Sequence, residues 1–107
     1  MAWTSLCSTD EVEEGKGKYV EISGFELAVF RDNGNYFVID NTCPHSGGNL
    51  SAGEVDAGCA VCPWHHWAFR LNNGELRGSP GVTISRYESR VFEFAGKKLV
   101  QAQLPIY

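Results

Sequence analysis

An all-β fold is what this sequence predicts, and three observations carry the prediction. Short runs of strand formers recur along the whole chain, and turn residues separate them at close intervals. Glycine is abundant, at 12 of 107 residues, as many tight turns require. No long Ala/Leu/Glu/Lys tract offers a helix. About nine or ten short strands are expected, closing into an antiparallel sandwich or barrel.

The elements follow in order. Residues 3–6 read as an opening strand, and Ser8-Thr9-Asp10-Glu11-Val12 as a turn with at most one helical turn. Residues 13–17 form a charged loop. Residues 18–22 alternate as a strand, Ser23-Gly24 turns, and residues 25–31 form an apolar strand. Asp32-Asn33-Gly34-Asn35 is a strong hairpin signal before a strand over residues 36–39. Periodicity is lost across residues 41–54, then returns as strands over residues 57–61 and 67–71, with Asn72-Asn73-Gly74 as a turn. Residues 78–81 are a predicted loop and residues 82–87 a strand. Residues 91–94 and 98–102 make a closing hairpin around Ala95-Gly96-Lys97, and Pro105 ends the pattern. Two loops, about residues 41–54 and 62–70, are expected to project from one end.

Size and charge bound the function. A chain of 107 residues is expected to be one domain over residues 1–107, with a modest core that a metal centre would help to stabilise. The formal charge is −4, which argues against nucleic acid, because phosphate binding rests on clustered Lys and Arg. An acidic carrier can instead be steered to a basic patch on a partner. No apolar stretch approaches the ~20 residues that cross a bilayer, so no membrane partner is expected. The opening Met1-Ala2-Trp3-Thr4-Ser5-Leu6-Cys7 lacks a basic region followed by an apolar core, which leads to a cytoplasmic expectation. Four cysteines in that compartment are expected to be ligands or spectators rather than disulfides.

Two short words carry the chemistry. Cys43-Pro44-His45 and Cys62-Pro63-Trp64-His65 each pair a thiol with an imidazole, with 16 residues between His45 and Cys62. Thiolate is a soft donor suited to iron–sulfur centres, and neutral imidazole also suits iron. Cys43, His45, Cys62 and His65 could therefore hold one [2Fe–2S] cluster, sulfur on one iron and nitrogen on the other. Pro44 and Pro63 stiffen the loops, and Gly47 and Gly48 let backbone approach a bulky core. With two ferric ions, two sulfides, two thiolates and two neutral imidazoles, the oxidised charge sums to zero. Adding an electron to a neutral core is easier than adding one to an all-thiolate core. The expected potential is therefore about −150 to +300 mV, against about −400 mV for plant-type centres. The same four ligands would also suit tetrahedral zinc.

Cys43-Pro44-His45-Ser46-Gly47-Gly48 and Cys62-Pro63-Trp64-His65 resemble the Rieske iron–sulfur family. The resemblance extends to Tyr36-Phe37-Val38-Ile39-Asp40-Asn41, Leu50-Ser51-Ala52-Gly53 and Trp67-Ala68-Phe69-Arg70-Leu71. It implies an all-β fold with a small cluster-binding subdomain, cysteines on a buried iron and histidines on an outer one. Rieske proteins of respiratory complexes add a cysteine to each word, joined as a disulfide; here Gly48 and Trp64 stand at those positions. They also place Ser and Tyr hydroxyls near the cluster where this chain has Trp67 and Phe69, which implies a potential toward the low end of the range. His66 stands where the family usually has glycine, as a surface residue or as a competitor of His65.

The branch resembled is the soluble ferredoxins of ring-hydroxylating dioxygenase systems. A one-electron carrier is therefore expected, with a flavin- or NAD(P)H-linked reductase as donor and an oxygenase as acceptor. The alternative is the small subunit of an assimilatory nitrite reductase, with the large subunit as partner. A complete oxygenase would need two further histidines and a carboxylate for a mononuclear iron. The chain has three histidines, of which only His66 is uncommitted. Cys59, three residues before Cys62, is expected to be a small buried apolar residue, and Cys7 a spectator.

Overall fold

The computed structural model describes residues 2–44, 47–64 and 66–105, with the side chain of Pro80 left aside. Twelve strands are present among these residues, all paired antiparallel in three sheets. In chain order they are β1 (Ala2–Ser8), β2 (Gly17–Ile22), β3 (Phe25–Asp32), β4 (Asn35–Asp40), β5 (Glu54–Asp56), β6 (Cys59–Val61), β7 (Ala68–Arg70), β8 (Glu75–Leu76), β9 (Ser79–Thr83), β10 (Arg86–Tyr87), β11 (Ser89–Phe94) and β12 (Lys97–Leu104). The terminal sheet has the order β1-β12-β11, the middle sheet β10-β4-β3-β2, and the third sheet β5-β6-β7-β8-β9.

Period-two alternation along β3 explains the layering. Leu27 and Val29 face one core with Val20, Val38, Val100, Ala102 and Leu104, between the middle and terminal sheets. Ala28 and Phe30 face a second core with Ile39, Leu50, Ala60, Phe69, Leu71 and Leu76, between the middle and third sheets. All four of these β3 side chains have zero exposure, which is why residues 25–31 carry apolar residues on both faces.

Four hairpins are closed by two-residue turns with consecutive positive φ: Ser23-Gly24, Asn33-Gly34, Ala57-Gly58 and Ala95-Gly96. Such turns match the right-handed twist of paired strands. Glu14 secures the second of them, its carboxylate accepting from the N–H groups of Asn33 at 2.6 Å and Gly34 at 3.0 Å. A single 3-10 turn, Thr9–Glu11, follows β1, capped by Ser8 with Glu11 returning to the Ser8 N–H.

The sequence-based expectation needs three corrections. Residues 57–61 are not one strand: Ala57-Gly58 is a turn, and β5 precedes it where no strand is expected. The expected loop at residues 78–81 lies largely within β9, whose edge position tolerates Pro80. The strand expected over residues 82–87 is broken at Ile84-Ser85, where the chain passes from the third sheet to the middle one. There Ile84 N–H donates to Gly74 and Ser85 carbonyl accepts from Asp40.

Candidate metal centre

The first loop leaves β4 at Asn41, which is 1% exposed. The Asn41 side chain closes the loop on itself. Its Oδ1 accepts from Ser51 N–H at 3.0 Å, and its Nδ2 donates to Asn49 Oδ1 at 2.9 Å. Its backbone carbonyl accepts from Leu50 N–H at 2.8 Å. Leu50–Ala52 form a 3-10 turn that drops Leu50 into the core, fully buried. Gly53 then passes beside β6 so closely that a Cβ there would meet the Val61 carbonyl oxygen.

Each cysteine sits at the neck of a smaller turn. Cys43 N–H donates to Gly48 carbonyl at 2.9 Å, and Cys43 carbonyl accepts from Gly47 N–H at 2.8 Å. Gly47 takes φ +73°, a left-handed conformation that glycine adopts without a steric penalty. In the second loop Cys62 N–H donates to Trp67 carbonyl at 2.7 Å. The two thiols are 1% and 0% exposed and belong to the same core, roofed in part by Trp67.

The loops meet at Gly48. A Cβ on Gly48 would lie 3.1 Å from Cys62 Sγ and 3.2 and 3.3 Å from Trp64 Cγ and Cδ2. The two loops thus bring two buried cysteines to one core, with the Cys62 sulfur beside the bare backbone of Gly48, and two thiolates are the half of a donor set that a [2Fe–2S] group takes from sulfur. The residues present fit the group. His45 and His65 lie outside the described residues, and no cluster of three or more His, Cys, Asp or Glu side chains placed to hold a metal occurs among the described ones.

Cys59 is buried, as expected, and so is Cys7. Cys59 is a buried residue of β6 whose thiol donates to Ala57 carbonyl at 3.9 Å. Cys7 packs in the other core, and burial, with Glu11 adding to it, raises its thiol pKa from 9.0 to about 11. Phe69 is fully buried on β7, its ring 6.4 Å from that of Trp67. His66 is exposed and takes φ +58°. Sequence reasoning missed Asn41 as the loop's staple; the one signal for it was a polar residue ending an apolar strand.

The chain matches the family described as Rieske [2Fe-2S] domain over residues 2–93. It belongs to that family. The cofactor of this Rieske domain is a single [2Fe–2S] cluster. The domain is 36% identical over 77 residues to the ferredoxin component of the p-cumate 2,3-dioxygenase system of Pseudomonas putida, covering 70% of this chain and 65% of that protein. It is 28% identical to apoptosis-inducing factor 3 of Homo sapiens over 92% of this chain, but spans only 17% of that protein's length. Among solved structures, it superposes at TM-score 0.83 and 28% identity on a Mycobacterium tuberculosis protein described as the small subunit of an NADH-dependent nitrite reductase, covering 98% and 97% of the two chains. Among the described residues no helix is long and apolar enough to cross a membrane.

Proposed function

We propose that this Rieske domain is a one-electron carrier whose cluster is held by Cys43 and Cys62 on one iron and by His45 and His65 on the other. The observation that carries this is the meeting of two loops, each closed on a buried cysteine, with Gly48 against the Cys62 sulfur. The bound cluster supplies a site that accepts and returns one electron. The chain's own residues set its surroundings. Buried thiols keep water from the sulfur-ligated side, and the backbone necks at Cys43 and Cys62 fix the loops before the metal arrives. Trp67 and Phe69 carry no hydroxyl, so the potential belongs toward the lower end of about −150 to +300 mV.

The partners that suit such a carrier are a flavin- or NAD(P)H-linked reductase as donor and an oxygenase as acceptor, by likeness to the dioxygenase ferredoxin component. With His45 and His65 as ligands, only His66 of the chain's three histidines remains. The chain cannot then build a two-His, one-carboxylate iron of its own, which supports transfer rather than catalysis. A second reading, the small subunit of a nitrite reductase, is favoured by the near-complete superposition on the Mycobacterium tuberculosis structure.

The test is anaerobic reconstitution with iron and sulfide, followed by dithionite reduction. A red-brown protein with a low-temperature paramagnetic signal of average g below the free-electron value is expected. Replacing His45 or His65 by Ala should abolish that signal, and wild-type iron content and spectra in either variant would refute the ligand assignment. Electron delivery to a dioxygenase terminal component, compared with a nitrite reductase large subunit, separates the two readings.

A further inference from the structure

The base of the two ligand loops is set by strand pairing, because β5 and β6 form a ladder. Beyond that ladder, among the described residues, the two loops also pack against each other at Gly48. At Gly48 the first loop presents backbone without a side chain, and two groups of the second loop crowd that point: Cys62 Sγ and the Trp64 ring. The Trp64 atoms nearest to it are Cγ and Cδ2, so the ring itself, and not just the stem, lies over Gly48. Trp64 is nevertheless 56% exposed. A tryptophan present only to meet a partner would have no reason to seat its inner atoms on the opposite loop. Any side chain at position 48 would sit at or inside 3.3 Å of both groups, tighter than ordinary packing allows.

We propose that Trp64 is a positioning residue: its indole seats on the bare backbone of Gly48 and clasps the first ligand loop over the Cys62 sulfur. Gly48 and Trp64 then form one matched pair, each requiring the other. Cys62 enters as a cluster ligand only through the function proposed above, whereas the fit of position 48 to position 64 is a property of the polypeptide itself.

A double-mutant cycle on the full chain tests this, with Gly48→Ala, Trp64→Ala, the double variant, and Trp64→Phe as the conservative control. In denaturant unfolding, Gly48→Ala should raise the unfolding equilibrium constant about tenfold in the wild-type background. It should do so by less than about threefold once Trp64 is Ala, because two of the three crowding atoms are gone. Additive losses overturn the clasp. Should Gly48→Ala alone fail to fold while the double variant folds, that rescue supports it. The second readout is bleaching of the visible absorption in air with a chelator. It should run at least about fivefold faster in Trp64→Ala than in wild type, with Trp64→Phe between them. Bleaching at the wild-type rate in Trp64→Ala overturns the clasp even where the paramagnetic signal proves the cluster. A wild-type protein that never takes up iron sinks the proposed function instead, and the unfolding cycle still decides the clasp.

Discussion

Asn41 does for the first ligand loop what no hydrophobic residue could, because its amide serves a donor and an acceptor at once. Replacing it by Ala leaves the Ser51 N–H facing a core with nothing to receive it, and such a loss costs about 1–3 kcal/mol. Denaturant unfolding should show that loss, together with reduced iron uptake on reconstitution; unchanged stability would mean that the amide is dispensable. Cys7 makes a prediction of opposite character. Its folded thiol titrates near 11 instead of 9.0, with burial as the main cause, so the folded state holds a proton that the unfolded state has released. The stability it contributes is complete below about pH 9 and is lost as pH rises through about 11. Tyr87, raised by burial and by its 2.7 Å hydrogen bond to Asp40, adds to the same alkaline decline. Cys7→Ala should flatten the fall in unfolding free energy between pH 9 and 11, and an unaltered slope would exclude Cys7 as its source. The candidate ligands were legible in the sequence because each word packs its chemistry into three or four consecutive residues. The role of Asn41 was not, since its partners lie eight to ten residues away and a polar residue after a strand reads only as a turn.

At the level of elements, the hairpins show which local signals suffice. Asn33-Gly34, Ser23-Gly24 and Ala95-Gly96 were recognisable as turns, each with a glycine second and a strand on either side. Ala57-Gly58 has the same conformation but was absorbed into the apolar run that follows it, because the short acidic β5 before it gave no strand signal to mark a turn between two strands. Ala57 adopts φ +48°, which a residue with a Cβ pays for and asparagine tolerates better. Ala57→Asn should therefore raise stability by about 0.5–1 kcal/mol, read as an increased denaturant midpoint at constant slope. His66 poses the same question inside the second ligand loop, at φ +58° with its side chain exposed. His66→Gly should relieve a cost of about 1 kcal/mol and leave the cluster spectrum unaltered. Loss of the spectrum would instead make His66, and not His65, the nitrogen ligand of that loop.

For the whole molecule, the sequence disclosed that strands would dominate but not which sheet each would join. The apolar residues of β3 announce burial on both faces without saying what covers them, and only the tertiary structure shows one core on each side. The two halves differ in how they are built. The terminal and middle sheets contain ladders of six residue pairs, whereas the third sheet, which carries the second loop and receives the first, consists of strands two to five residues long. Strands so short bring few ladder bonds of their own, and the cluster's bonds to both loops would supply what is missing. Iron removal should accordingly raise amide hydrogen exchange in β5 to β9 while β3 and β12 keep their protection; a uniform rise across all three sheets would argue against that division. The neck at Asn41 has a last consequence for how such a protein can diversify. Because the segment that follows is tied off where it begins and where it ends, Pro44 and Ser46 between those ties could vary from one related domain to the next while the proposed ligands and Gly48 beside them stay constant.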